Sequence, residues 1–352
     1  MMSPRLYESL LFLVQRVKWK AMRKFLLAVG TLGLVVVSTI FSFSPHAYAQ
    51  VAGVGQGVQL SPAIIELNAK RGGTYTLTVE VTNVTAGDLD YKVSTNDFTA
   101  KDESGAPKIV YSSSLPPQIS VRTWVSPVSD FHLGSHKAAK IEFHVTVPYN
   151  AEPGGHYGVL DFSGTDTHIK QTGVGLTASA GTLLLVKIAG EIKEQASVAS
   201  FTTENNGKES NFFENAPVNF VTRVQNDGNI HVKPFGSIEL KNMFGSVVAT
   251  LPVNGSQSNV LPHSIRRFDS DYGGYMIGPY TATVTLGYGT KGQALLASTT
   301  FWVVPYKLIA TILLVLALLV FILRRTQIAY NRRVIKKYQN SQQKNESKTT
   351  KR

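Results

Sequence analysis

From Gly73 to Asn83 the chain alternates. Tyr75, Leu77, Val79 and Val81 fall on one face, and Thr74, Thr76, Thr78, Glu80 and Thr82 on the other. A period of two marks a strand with one face buried. Lys140 to Pro148 repeats the pattern with Ile141, Phe143, Val145 and Val147 inward, and Tyr280 to Tyr288 repeats it again. Turn-forming clusters separate such runs: Asn83 to Asp88, Lys101 to Pro107, Asn150 to Gly155, Asn205 to Gly207 and Gln225 to Asn229. No long helical period lies between them. Short strands with frequent turns predict an all-β fold of two immunoglobulin-like β-sandwiches in tandem. We place them at residues 50–192 and 193–304. Thr182 to Ala189 reads as a strand central to the first, and Ala196 to Phe201 opens the second. A weak internal repeat supports two related units. Val79-Glu-Val-Thr-Asn83 leads to Gly87 and a second strand, and Val221-Thr-Arg-Val-Gln-Asn226 leads to Gly228 and another.

Two segments break the β pattern. Phe25 to Phe43 is apolar apart from Gly, Ser and Thr, is preceded by Lys18, Lys20, Arg23 and Lys24, and is followed by Ala47 and Ala49. Charged, apolar and small-residue regions in that order describe a signal peptide, residues 1–49, cleaved after Ala49. Met22 is an alternative start, and an uncleaved anchor helix is the plainer alternative. Leu308 to Leu323 is uninterrupted by charge, and residues 305–323 predict one transmembrane helix. Trp302 and Tyr306 suit the interface, Lys307 can snorkel, and Arg324 and Arg325 follow at once. A buried core helix fits such flanking charge poorly. By the positive-inside rule, residues 324–352 are a cytoplasmic basic tail and the sandwiches lie outside the cell. Arg324 to Tyr338 can continue as a cationic helix on anionic lipid, and the polar composition from Asn340 predicts disorder.

Charge changes the picture only when divided along the chain. The net charge is +12. Residues 1–24 hold six basic groups and one acid, and residues 324–352 hold ten and one. The stretch between them holds 19 basic and 21 acidic groups, so the folded part is nearly neutral and carries no electrostatic footprint for nucleic acid. Cysteine is absent, which excludes disulfides, thiolate metal sites and cysteine nucleophiles. A covalent cell-wall sorting motif is not supported either. The nearest approach, Leu251-Pro-Val-Asn-Gly255, lacks the threonine and lies far upstream of the apolar run.

Several stretches together resemble a known family: Leu60-Ser-Pro62, the strand from Gly73 to Asn83, and Phe143-His-Val-Thr-Val-Pro148 running into Pro153-Gly-Gly-His-Tyr-Gly158. Asn226-Asp-Gly-Asn229, Pro234 to Ile238, Gly245 and Leu261 to Arg267 continue the likeness. The first sandwich resembles the peptidoglycan-binding domain of the WxL-interacting proteins of Gram-positive bacteria, and the second resembles their membrane-proximal domain. The resemblance implies cell-wall binding and association with other surface proteins.

No constellation points to catalysis or to a cofactor. There is no Gly-x-Ser-x-Gly elbow, Walker motif or dinucleotide fingerprint. The glycines around Gly53 and Gly173 lie outside any strand–turn–helix unit. His132 and His136 read as surface histidines of a loop at Gly134, without the helical i, i+4 geometry and the carboxylate partner of a zinc pair. The most suggestive binding segment is Gly154-Gly155-His156-Tyr157. The glycines let backbone pass close to a ligand, and the two rings offer stacking and hydrogen bonds to a sugar. The plainer reading is a tight turn with Tyr157 entering the core. Trp124 is divided in the same way between core and binding face, with core favoured. The expected protein is therefore a non-enzymatic, membrane-anchored surface binder or scaffold, with cell-wall polymer or surface proteins as partners and membrane lipid around its helix. The alternative is an assembly chaperone that acts by edge-strand pairing.

Overall fold

The computed structural model describes residues 57–111, 119–166 and 177–349. The segment read as a signal peptide, with Met22, Ala47 and Ala49, and the glycines Gly53, Gly173 and Gly175, lie outside the described residues. The first sandwich comprises β1 (Val58–Ser61), β2 (Ile64–Ala69), β3 (Thr74–Asn83), β4 (Leu89–Ala100), β5 (Pro107–Val110), β6 (Phe131–Leu133), β7 (Ala138–Thr146), β8 (Gly154–Asp166) and β9 (Thr177–Ile188). The second comprises β10 (Ala196–Asn205), β11 (Lys208–Glu209), β12 (Phe212–Phe213), β13 (Val218–Asn226), β14 (Phe235–Asn242), β15 (Val247–Val253), β16 (Ile265–Tyr272), β17 (Gly278–Tyr288) and β18 (Gln293–Val303).

In the first sandwich the sheet β1-β3-β7 faces the sheet β2-β9-β8-β4-β5, with β6 also pairing with β4. The alternation read from β3 and β7 is what closes this core. Val79, Val81, Phe143 and Val145 meet Phe162, Leu184 and Val186 from the other sheet, while Thr78, Glu80 and Glu142 stay in solvent. In the second sandwich β11-β10-β13-β16 faces β12-β18-β17-β14-β15. Its centre is Phe301, wholly buried, with ring centroids 5.5 Å from Phe220, 5.8 Å from Phe213 and 5.8 Å from Tyr280. Both cores hold without disulfides, as a chain lacking cysteine requires.

The internal repeat has a physical basis. Asn83 and Asn226 each end a strand, and each side chain is fully buried. Asn83 Nδ2 donates to the carbonyls of Gly87, Leu133 and Gly134, and its Oδ1 accepts from Thr85. Asn226 Nδ2 donates to Ile230 and Val260, and its Oδ1 accepts from the Gly228 N–H. In both domains one amide satisfies a turn that the ladder leaves without partners.

Two expectations are corrected here. Phe131-His-Leu133 is a strand rather than part of a loop, because β4 pairs it, and the turn comes after it, with His136 at φ 55°. His132 Nδ1 lies 2.9 Å from Asp90. The C-terminal helix α1 (Tyr306–Thr349) does not fray at Asn340. The Lys, Gln and Glu that make this tail polar are also good helix formers, so the helix propagates through it. At 44 residues it is about 66 Å long. Its apolar part is long enough to cross a membrane, and from Tyr306 to Lys337 its side chains are nearly all exposed.

Candidate functional site

The five residues singled out for a sugar site are placed in the interior. Gly154 and Gly155 are not in a turn but begin β8, whose first nine residues are all buried. His156 is wholly buried, with Nε2 bonded to the Glu152 carbonyl at 2.9 Å and its ring against Trp124, 4.5 Å between centroids. Burial holds the His156 pKa below the usual imidazole range. Trp124 is 7% exposed and Tyr157 4%. No ring face of this set is open to a ligand.

What these residues build is the joint between the sandwiches. Tyr157 crosses from β8 to the second domain. Its hydroxyl accepts the His231 N–H at 2.8 Å and lies 3.2 Å from His231 Nδ1. The two rings meet edge to face at 5.8 Å, and Phe98 closes the other side at 6.0 Å. Burial raises the Tyr157 pKa, so the phenol stays protonated and can donate to Nδ1. Burial likewise lowers the His231 pKa to about 4, so the ring is neutral and its Nε2–H tautomer leaves Nδ1 free to accept. Gly155 N–H donates to the Asn229 carbonyl at 2.8 Å. Gly154 sits at φ 129°, and a Cβ there would lie 2.8 Å from the same oxygen, so this contact requires glycine. A second bridge comes from the β4–β5 turn. Arg223 Nε donates to the Glu103 carboxylate at 2.7 Å, and the Arg267 N–H donates to the Glu103 carbonyl at 2.7 Å.

Beside this joint is a cleft of ≈ 620 Å³. Its floor is Ile64, Phe98, Leu183 and Leu185, and its rim is Glu66, Lys233, Asn259 and Arg266. Glu66 pairs with Lys233 Nζ at 2.7 Å and accepts from Asn259 at 3.1 Å. Burial pushes the Glu66 carboxyl up, but these two partners outweigh it and hold its pKa below the usual value. Arg266 donates to the Asn259 carbonyl at 2.7 Å, and burial lowers its pKa.

The cleft lies at the end of an unusual sheet edge. β9 is paired with β8 along its whole length, Thr177↔Thr165 to Ile188↔Gly154. On its other side β2 covers only Leu183 to Ile188. Among the described residues no strand pairs with the outer edge of Thr177 to Thr182. Leu183 N–H points outward to the Ala63 carbonyl, at 2.9 Å. By strand alternation, the N–H and C=O groups of Thr177, Ser179 and Gly181 point the same way. This opening is about 20 Å long. It ends at Leu183 and Ile64, where the cleft begins. The side chains along it are small, and Ser179 Oγ donates to Asp161 at 2.7 Å.

Of the anchor residues read from sequence, Trp302 and Tyr306 are half exposed where β18 meets α1, and Lys307 Nζ pairs with Glu214 at 2.6 Å. Arg324 and Arg325 lie within α1, and the Arg325 guanidinium sits 5.8 Å from the Phe321 ring. Sequence reading passed over His231, Glu66, Lys233 and the Thr177–Thr182 edge. The segment Ile230-His-Val-Lys233 stands in the internal repeat, and that was the one available signal. Among the described residues no group of three or more His, Asp or Glu is placed to hold a metal.

No family model and no curated protein matches the chain. Solved structures with similar sandwiches include the YadV chaperone, at 11% identity over 70% of this chain and 100% of that one, TM-score 0.33. The class 5 fimbriae chaperone CfaA follows at 12% identity, 69% and 99% coverage, TM-score 0.34. The SafB chaperone in complex with SafA pilin, from Salmonella enterica, stands at 13% identity, 69% and 96% coverage, TM-score 0.33. None of these likenesses bears on what this chain binds.

Proposed function

We propose that this chain is a membrane-held surface protein that binds an extended segment of another surface protein by taking it up as a strand on the open edge of β9, as a scaffold or an assembly chaperone would. The observation that carries the reading is the stretch Thr177 to Thr182, whose outer main-chain groups no described strand pairs, in a strand otherwise paired on both sides. Unpaired main-chain groups on a sheet edge are a ready template for a second chain, and the small side chains here let one approach closely. The cleft beyond Leu183, apolar below and charged at its rim, can take the end of such a segment. The apolar part of α1 crosses the membrane, with Arg324 and Arg325 on the cytoplasmic side. No catalytic role is assigned.

Ser179→Pro tests the reading. Proline removes an outward donor and blocks the edge, yet edges tolerate it because the lost N–H has no partner in the sandwich. Ser179→Ala is the matched variant, since it loses the same bond to Asp161 and leaves the edge open. In pull-downs of surface extract with the full chain in detergent, Ser179→Pro should lose about tenfold or more in capture and Ser179→Ala less than about twofold. Equal capture by both variants would sink the edge as the site. Retention of wall sacculi without any surface protein would favour instead the cell-wall polymer implied by the WxL-interacting resemblance.

A further inference from the structure

The second sandwich ends where α1 begins, with only Val304 and Pro305 between β18 and the helix. That end is tied down. Trp302 N–H donates to the Asn211 carbonyl at 2.8 Å, and Val304 N–H to the Phe213 carbonyl at 2.8 Å. The Phe212 and Tyr306 rings lie 6.4 Å apart, and Lys307 pairs with Glu214. The orientation of the sandwich on the helix is therefore set by contacts rather than left to a linker.

Strand register shows which other residues share this end. Val303 pairs with Gly278, Phe301 with Tyr280, and Tyr280 with Asn242. The loops 243–246 and 273–277 therefore emerge beside the start of the helix. A Cβ on Gly278 would lie 3.9 Å from Met243 Sδ, which brings the two loops together. Both present large apolar side chains to solvent. Phe244 is 82% exposed, Tyr275 88% and Met243 64%, with Ile277, Phe212 and Trp302 more than half exposed. Scattered exposed apolar residues need no explanation, but a group on one end of one domain marks an interaction surface. The opposite sheet at the same end is different. There Glu204, Glu214, Asp269 and Asp271 line a polar hollow with Arg267.

We infer that the Met243–Phe244 and Tyr275–Ile277 loops are a membrane seat. They rest in the headgroup and upper acyl region of the outer leaflet, on the β14–β15–β17–β18 side of the helix, while the acidic sheet end stays in water. The occupant follows from continuity. The surface starts where the apolar helix starts, and aromatic side chains at that level suit the bilayer interface. The charged groups of the other sheet, Asp271 and the ion-paired Glu204, Asp269 and Arg267, are costly to take out of water, so the sandwich leans to one side. The seat fixes the height and tilt at which the open edge of β9 is presented. The inference rests on α1 spanning the membrane and is independent of what that edge binds.

The absence of cysteine makes a clean test. Phe244→Cys, Tyr275→Cys, Lys208→Cys and Leu316→Cys, each in the full chain and labelled with an environment-sensitive fluorophore, are placed in nanodiscs of phosphatidylcholine and phosphatidylglycerol. Doxyl lipid and aqueous iodide are the quenchers. Labels at 244 and 275 should be quenched by doxyl lipid several-fold more than the label at 208, and shielded from iodide. The label at 316, in mid-helix, should be quenched by lipid in every case. If 244 and 275 respond like 208 while 316 is lipid-quenched, the helix spans but the seat is wrong. If 208 is quenched as strongly as 244, the one-sided lean is wrong. If 316 escapes lipid quenching, the spanning helix fails and the seat with it.

Discussion

Tyr157→Ala should destabilise the tandem by about 3–5 kcal/mol, the usual range for deleting a buried aromatic side chain. The ring is 4% exposed and packs with Phe98, Val159 and Leu185 beneath Leu261 of the second domain. Removing it opens a cavity at the joint and strips the His231 N–H of its acceptor. Tyr157→Phe separates the two effects. It keeps the packing and loses only the hydroxyl, which should cost about 1–3 kcal/mol because a buried donor is left unpaired. Chemical denaturation of the full chain in detergent checks both. The alanine variant should also unfold in two resolved steps where the parent unfolds in one, since the joint couples the sandwiches. A loss below about 1 kcal/mol for Tyr157→Ala would mean that the joint is not part of the stable structure.

Acid should weaken the same joint. Unfolded, His231 takes up a proton near its ordinary pKa of 6.5, whereas in the folded joint burial holds that uptake off until about pH 4. Between those values the unfolded chain binds more protons, so stability falls as pH falls. The contribution is complete above about 6.5, declines through the window, and is about 3 kcal/mol smaller below about 4. His156, shifted in the same direction by burial, adds to the effect. The charges facing His231 pull both ways, Glu66 favouring the protonated form and Lys233 and Lys187 opposing it, but burial is the larger influence. Melting temperatures measured between about pH 7 and about pH 4.5 should drop for the parent and drop less for His231→Gln, which cannot take up the proton. Parallel pH profiles for the two proteins would contradict the assignment.

The strands were legible in the sequence where one face meets solvent. β3, β7 and β17 alternate because their outer positions are wet, and the period of two records that directly. β8 was not legible, because it is covered on both faces. The core of its own sandwich lies on one side, and Phe98, Ile109 and Leu261 lie on the other. A strand buried twice has no alternation to display, and Gly154-Gly155 then looked like a turn. The joint depends on pairs far apart in the chain, Tyr157 with His231, Glu103 with Arg223 and Glu66 with Lys233, and no local pattern brings such residues together. The open edge was hidden for another reason. It exists because β2 begins at Ile64 and pairs no earlier than Leu183, a matter of register between distant segments rather than of the residues Thr177 to Thr182 themselves. The buried asparagines were half visible. The repeat around Asn83 and Asn226 could be seen, but not that each amide holds a turn from inside.

The seat and the edge make one physical picture. In the proposed arrangement the helix holds the chain in the membrane, the second sandwich sets its pose, and the joint carries that pose to β9. Its central claim is that a bound segment becomes a strand beside Thr177 to Thr182. Residue-resolved amide exchange on the full chain, with and without the captured surface protein, tests this most directly. Strand addition should slow exchange at the Ser179 and Gly181 amides by orders of magnitude, because their outward N–H groups gain carbonyl partners. The Ala180 and Thr182 amides, already paired with β8, should change far less. Capture that leaves Ser179 and Gly181 exchanging as fast as before would contradict the account.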